Sequence, residues 1–547
     1  MPLRAVNDHN IEDAIRSGCR TMRSVFNADD DHVPFFGSRL RPDAFLSFSR
    51  AHSESHVPGR HLNALLAAEF VAPNMNDGPG GADPEVLDEA VAHHRRALML
   101  SYQGGVAPLS LNRDKIEDQE PSVFCPHNLR EGFHGLYALA HHRADDEAAS
   151  LVDSSIEAIR RLWHPVRGWD EEQLRGLNLD YLACQGFVHG EARMLGPLVK
   201  LHRSTRSLKA LHLAEDVAEK LLAEFYLEDG AYTQDRFGIR HAHSVTCCLS
   251  SLAQYAELRH DLDLLRRVQA FYNHGLWEMR DVIGWSPEQA QQTGSDHGEA
   301  NNTGDILETA LILGRHLDPR YDQDAERILR CHLLPSQLLD VSFVEEPDNP
   351  EGVDGLRDLA RRHQGAWGFP APYGHEPAGE GRGNLSFNMD IVGGVVGSLC
   401  AALQAAVRTD DDGHHVRLLM ASETDGVQVR SPYGQHSTPE ILVIRVLRRG
   451  ALHIRLPPWV DPQRVIVEPV RERYTVDPAG LHITEPTLDS DIRIRFGLPV
   501  EEFPLTHHHD EPVWVRLRGD RVEAMDDRGT DLTFFPSFAD LDLCVPD

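Results

Sequence analysis

Between residues 296 and 302 the chain reads Asp296-His297-Gly298-Glu299-Ala300-Asn301-Asn302, which sets two carboxylates, an imidazole and two amides side by side. Such a set can give or take a proton and hold hydroxyl groups. Acid–base cleavage of a glycosidic bond needs those functions: an acid for the leaving oxygen and a second carboxylate as nucleophile or as base for water. The competing reading is a helix cap, because Asn302 or Thr303 followed by Asp305 opens a helix well and anions suit its N-terminus. A cap accounts for one or two of these residues, not for the whole run.

A second polar stretch, "GRGNLSFNMDIVGGVVGSL", sets Asn388 and Asp390 immediately before an apolar, glycine-rich helix. Capping by Asp390 is again the plain alternative. Upstream, "HQGAWGFPAPYGHE" offers Trp367, Phe369 and Tyr373 as a stacking wall for sugar faces, or as packing. His241 and His243 flank one alanine and would point the same way in a strand or loop, as half a metal site, an acid–base pair or satisfied structural histidines. His56, Arg60 and His61 precede one helix, and Asn128, Arg130 and Glu131 precede another. Each group could line a rim or tie hairpins together by salt bridges.

These residues need a scaffold, and up to about residue 405 the scaffold reads as helix. "KALHLAEDVAEKLLAEF" puts Leu211, Ala214, Val217, Ala218, Leu221, Leu222 and Phe225 on one stripe, the spacing of an amphipathic helix. A cadence of helix, short polar break and helix recurs at irregular spacing, as stacked helical hairpins would give. After about residue 410 the period becomes two: "ILVIRVL", "ALHIRL", "RVIVEPV", "DIRIRF" and "VWVRLR" are short, β-branched and alternating. Strands of this kind predict one or two β-sandwiches.

At 547 residues the chain exceeds the size at which one core stops growing, so two or more domains are expected. Its 54 basic against 85 acidic side chains give a net charge of −31, which repels nucleic acid and anionic membranes. No membrane span is expected, since no stretch approaches roughly 18 apolar residues, and "MPLRAVNDHNIEDAIRSG" lacks the apolar centre of a signal peptide, so a cytoplasmic location is expected. The eight cysteines, with no CxxC, read as free and mostly buried thiols, Cys247-Cys248 as core. His507-His508-His509 reads as a solvated loop and Asp410–Gly413 as a turn. There is no P-loop, no dinucleotide-binding glycine fingerprint and no GxSxG elbow.

Several strings carry a resemblance. "ALHIRLPPWVDPQRVIV" resembles a "lslRIPpWv" strand, "PVWVRLRGDRVEAMDDRGTDLTFF" a "tyrwrGntVv" element, and "RHAHSVTCCLSSLAQYAEL" with "IGWSPE" a "HtHS…gllrYaelTgd…fGWvpE" stretch. These belong to the six-hairpin (α/α)6-barrel glycosidases, specifically glycoside hydrolase family 127, the β-L-arabinofuranosidases, and their relatives. The similarity is diffuse over most of the chain. It implies a mainly α N-terminal (α/α)6 barrel, a six-hairpin toroid, over residues 1–407, and an all-β sandwich region over 408–547.

The departure from that family is chemical. Its Glu-x-Cys segment corresponds to Glu299-Ala300-Asn301, and its Cys-Cys pair to Asn388-Met389-Asp390. Hard amide and carboxylate oxygens replace the thiolates of a zinc–cysteine mechanism. No metal and no cofactor are therefore expected. The resemblance leaves the barrel, its mouth and Glu299.

The expected function is a glycoside hydrolase acting on a plant or algal type oligosaccharide. Glu299 is its proton donor or base, Asp390 the partner carboxylate and Asp296 the reserve. His241, His243, His297, Asn301, Asn302, Asn388, Trp367, Arg60, Arg130 and Glu131 are its substrate-binding residues. The partner is a carbohydrate, with homodimerisation left open. The rivals are a polysaccharide lyase or sugar epimerase on the same barrel, and a non-catalytic glycan-binding relative.

Overall fold

The structure, a computed structural model, describes residues 10–72, 84–103, 107–110, 122–379, 381–433, 440–469 and 472–542. Cys544 and the first nine residues, on which part of the thiol and leader expectations rested, lie outside them.

Twelve helices of nine or more residues occur among the described residues: α1 (Ile11–Met22), α2 (Val57–Val71), α3 (Pro84–Ser101), α4 (Leu129–His142), α5 (Asp146–Leu162), α6 (Leu195–Thr205), α7 (Leu208–Glu224), α8 (Ala242–Arg259), α9 (Leu262–Asn273), α10 (Ala300–His316), α11 (Arg320–Ile328) and α12 (Met389–Ala406). The even-numbered helices form a closed ring, each packed on the next and α12 on α2. Each odd-numbered helix packs outside one of them, with α1 against α12. This is the (α/α)6 barrel.

The two rings differ in how their sequences bury. In the outer helix α7 the Ser207 hydroxyl accepts from Ala210 N, and the buried residues Ala210, Leu213, Ala214, Val217, Ala218 and Leu221 make one stripe. The inner helix α8 is buried on nearly every side from Ala242 to Ala256, so it shows no stripe. Glycine lets inner helices touch: a Cβ on Gly59 would lie 1.8 Å from the Glu131 carbonyl oxygen, and one on Gly394 2.0 Å from Asn301 Oδ1. Helix α12 has the length and hydropathy of a membrane span, but its apolar faces pack inside the ring.

Helix ends at Ala406 and strand begins at Val407. The strands are β1 (Val407–Asp410), β2 (Gly413–Val416), β3 (Ser422–Glu423), β4 (Val427–Arg430), β5 (Ile441–Val446), β6 (Leu452–Ile454), β7 (Ile466–Glu468), β8 (Tyr474–Asp477), β9 (Gly480–Ile483), β10 (Asp491–Arg495), β11 (Val500–Leu505), β12 (Val513–Arg518) and β13 (Arg521–Met525). One sheet has the order β8-β9-β6-β2-β1, another β3-β4-β5-β10-β7. In β10, Ile492 and Ile494 are buried while Arg493 and Arg495 are exposed, the alternation of a strand with one covered face. Inward residues of both sheets, among them Leu452, Ile454, Leu481, Ile483, Ile492 and Ile494, share one core.

Strands β11, β12 and β13 belong to neither sheet. They form a third, whose Val513, Val515 and Leu517 pack with Trp285, Cys331 and Tyr373 of the helical region. A segment read as sandwich thus returns to the barrel, beside the 296–302 loop.

Candidate active site

The first turns of all six inner helices, and the residues just before them, meet at one rim. They bring His56 and Arg60 (α2), Asn128, Arg130 and Glu131 (α4), Arg193 (the short turn Glu191–Met194 before α6), His241 and His243 (α8), Glu299, Asn301 and Asp305 (α10) and Asp390 (α12). Six helix N-termini carry partial positive charge and favour carboxylates there. The strand Leu385–Asn388 pairs with Gly37–Arg41, Asn388 opposite Gly37, which fixes the chain just before Asp390.

At the floor, the Glu131 carboxylate has no exposed surface and takes three guanidinium donors on Oε1: Arg60 at 2.6 Å, Arg193 at 3.1 Å and Arg130 at 3.3 Å. Burial opposes its ionisation, but Arg193, His56, Arg60 and Arg130 outweigh burial and hold the carboxyl well below the usual range. His56 links this group to Asp390. Asn128 Nδ2 donates to Ala51 O and Ser55 Oγ, so its Oδ1 is left to accept, 3.0 Å from His56 Nδ1. His56 Nε2 lies 3.2 Å from Asp390 Oδ2. Burial alone would raise the pKa of Asp390, but the His56 hydrogen bond and the Arg60 charge hold it at about 2.

Glu299 is placed oppositely. It stands at the cap position of α10 without making a side-chain capping bond. Its Oε1 accepts from Asn301 Nδ2 at 3.1 Å and lies 3.6 Å from His243 Nδ1, with His241 Nε2 3.7 Å from Oε2. Burial, then the neighbouring charge of Glu288, pushes its pKa up to about 8. A belt of imidazoles joins the two carboxyls. His56 stacks on His127 at 5.5 Å, His127 meets His189 at 4.7 Å, His189 meets His241 at 5.4 Å and His241 meets His243 at 5.9 Å. Burial, with Arg193 reinforcing it, drives His189 down to about 4 and His127 well below the usual value. Burial, His189 and Arg193 take His241 to about 3. His127, His189 and His241 are therefore neutral at pH 7. Below them a cavity of about 40 Å³ is bordered by Arg60, Arg130, His243, Asn301 and Asp305.

Glu299, Asp390, His241, His243, Asn301, Arg60, Arg130 and Glu131 therefore share one network. The other expected residues are placed differently. Asp296 turns away: Tyr373 Oη donates to its Oδ2 at 2.8 Å, and His509 Nδ1 lies 2.7 Å from its Oδ1. His297 stacks on Phe369 at 5.0 Å and meets Glu288 at 3.2 Å. Asn302 supports the loop by donating to Pro287 O at 2.9 Å. Asn388 holds the cap position of α12 without a capping bond. Trp367 is no stacking wall: it is fully buried in the helical core and donates to Leu333 O at 2.8 Å. Tyr373 is likewise buried, so Phe369 is the half-buried ring of the three.

The solvated reading of 507–509 fails at His509, whose side chain is 1% exposed between Asp296 and, at 4.0 Å, Asp281. Burial disfavours its cation, but the two carboxylates prevail and push its pKa up to about 9. The tip of the third sheet thereby latches the loop that carries Glu299. His509→Ala is expected to destabilise the fold by about 1.5–3 kcal/mol, the value of a hydrogen bond to a charged group. A denaturant double-mutant cycle with Asp296→Asn checks it, since effects adding within about 0.5 kcal/mol would mean no latch.

Residues missed in the sequence include His127, His189, Arg193, Asp305 and Glu288. His127, His189 and Arg193 sit in short polar strings before inner helices, such as "FVHGEAR"; Glu288 ends the string "IGWSPE", and Asp305, read only as part of a helix cap, lies inside α10. Cys247 is core as expected, yet its sulfur, His243 and Asp305 offer ligand atoms within 4.8 Å of one another. His241, His243 and Glu299 do the same at the mouth. The zinc–thiolate centre that the resemblance implies does not fit at the mouth, because Asn301 and Asp390 supply amide and carboxylate groups where it needs sulfur.

No family model and no curated protein matches the chain. Solved structures do match. A GH127 β-L-arabinofuranosidase from Geobacillus stearothermophilus T6 aligns with a TM-score of 0.52 at 14% identity, over 85% of this chain and 75% of its own. A second GH127 β-arabinofuranosidase aligns at 0.55 and 12%, over 94% and 81%. A further glycoside hydrolase aligns at 0.53 and 10%, over 85% and 76%. The chain shares the six-hairpin fold of these proteins.

Proposed function

We propose that the protein is a glycoside hydrolase working at the barrel mouth, with Glu299 as proton donor and Asp390 as its ionised partner. One observation carries this reading: a single buried network holds two carboxyls in opposite protonation states, Glu299 pushed up to about 8 and Asp390 held at about 2. Cleavage of an acetal needs that division, an acid for the leaving oxygen and an anion for the attack or for the oxocarbenium charge. His241, His243 and Asn301 surround Glu299 and suit the hydroxyls of a neutral oligosaccharide of plant or algal type. Glu131 with its arginines holds Arg60 and His56 in place, and these keep Asp390 charged.

The pH dependence follows in sign. Glu299 must be protonated, so kcat/KM is expected to fall above pH about 8, and a rate–pH profile checks this limb. Between pH 4.5 and about 8 the native chain keeps a proton that the unfolded chain has released. Stability is therefore lost as pH rises through that window, and Glu299→Gln is expected to flatten that part of a stability–pH curve.

A panel of aryl glycosides and plant or algal oligosaccharides, run with and without chelator, tests the assignment. Turnover insensitive to chelator is expected, and turnover abolished by it would contradict a carboxylate mechanism. One observation favours a lyase or epimerase instead: the buried Arg60 keeps Nη1 without a hydrogen-bond partner while Nη2 holds Glu131 and Nε faces Asp390 at 3.7 Å, so one donor is left for a uronate carboxylate. Ultraviolet absorbance of an unsaturated product on uronate polymers would decide for the lyase.

A further inference from the structure

Far from the mouth, three histidines stand in one row across the first sheet. His415 of β2 is opposite His453 of β6, and His453 is opposite His482 of β9. Their neighbours Val416, Leu452, Ile454, Leu481 and Ile483 point into the shared core, so the three imidazoles lie on the other face, each half-buried. That face lines a cleft of about 330 Å³ whose opposite wall is the turn from Gly314 to Pro319 between α10 and α11.

The hydrogen bonds fix where the protons are. His482 Nε2 lies 3.1 Å from Asp477 Oδ1, and His453 Nε2 lies 3.3 Å from the Asp412 carbonyl oxygen. Both oxygens can only accept at neutral pH, so both Nε2 atoms carry hydrogen. In neutral rings both Nδ1 atoms then present lone pairs, and these face each other at 2.8 Å. Two lone pairs at that distance repel unless an electrophile lies between them.

We propose that His453 and His482 form a binding site for a divalent transition metal ion, with both Nδ1 atoms as adjacent ligands. Two metal–nitrogen bonds of about 2.0–2.1 Å at a right angle span roughly 2.9 Å, which matches the observed separation. Right-angled nitrogen ligands suit the square-planar or tetragonal preference of Cu²⁺ and Ni²⁺, and Cu²⁺ stands highest in the general affinity order. Asp477 and the Asp412 carbonyl are the outer partners that metal-binding imidazoles use to fix their tautomer. The His415 ring, stacked on His453 at 4.8 Å and tied to Asp410, covers one side, and the cleft admits water to the remaining positions. A filled site would clip β6 to β9.

The test is a Cu²⁺ titration of the full chain, wild type against His453→Ala and His482→Ala, followed by electron paramagnetic resonance and by thermal unfolding. Other histidines of the chain bind equally in all three proteins, so the difference is what is read. The expected result is one equivalent more in wild type, a spectrum with two equatorial nitrogens absent from both variants, and a metal-dependent rise in Tm confined to wild type. Both positions are half-buried, and unchanged metal-free circular dichroism verifies that the variants fold. Equal stoichiometry and spectra in all three would overturn the proposal, and would mean that a shared proton relieves the pair instead.

Discussion

Glu299→Gln is expected to lower kcat by about 10²–10⁴-fold on any glycoside the protein cleaves, the usual contribution of a positioned acid. Gln keeps the shape and can still meet Asn301, His241 and His243, so substrate affinity is expected to persist. It cannot deliver a proton to a leaving oxygen. Asp390→Asn removes the anion and is expected to fall in the same range. Because the two act as a unit, the double variant is expected to be hardly worse than either alone. Steady-state rates with binding of uncleaved oligosaccharide check both statements. If Glu299→Gln keeps wild-type kcat, the proton comes from elsewhere, and Glu288, whose charge bears on Glu299, is the next group to substitute.

Glu131→Gln is expected to cost about 3–5 kcal/mol of stability, the penalty for removing one partner of a buried ion cluster. The carboxylate has no exposed surface, and three guanidinium groups, from α2, α4 and the turn before α6, share its Oε1. With the charge gone, those arginines repel one another at a site where the Glu131 and Arg193 side chains have no exposed surface. Arg60 would lose its anchor and Asp390 part of the field that keeps it ionised. Denaturant unfolding measures the effect, and a loss below about 1 kcal/mol would mean that the arginines are compensated elsewhere.

How much of this the sequence revealed depends on the range of the interaction. The outer helices and the strands were legible because burial on one face writes a period into the chain, as in α7 and β10. Glu299 and Asp390 were legible because each closes a polar run before an apolar helix. The inner helix α8 carries no stripe, since it is buried on nearly every side, so its place in the ring does not show as periodicity. The imidazole belt was hidden for another reason. His127, His189 and His241 are far apart in the chain and meet only because the inner helices begin at one rim. Trp367 misled because an aromatic in a glycine-rich loop looks the same whether it faces sugar or core. His509 misled because a run of three histidines reads as surface until its aspartate partners, Asp281 and Asp296, are brought to it from the barrel.

The opposite protonation of Glu299 and Asp390 can be measured without knowing the sugar. Infrared difference spectra of wild type minus Glu299→Gln, recorded across neutral and alkaline pH, isolate the carboxyl band of this one residue. A protonated carboxyl stretch present at pH 7 and lost through a transition near pH 8 is the predicted result. A carboxylate band already present at pH 7, with no protonated carboxyl removed by the substitution, would contradict the assignment of Glu299 as the acid.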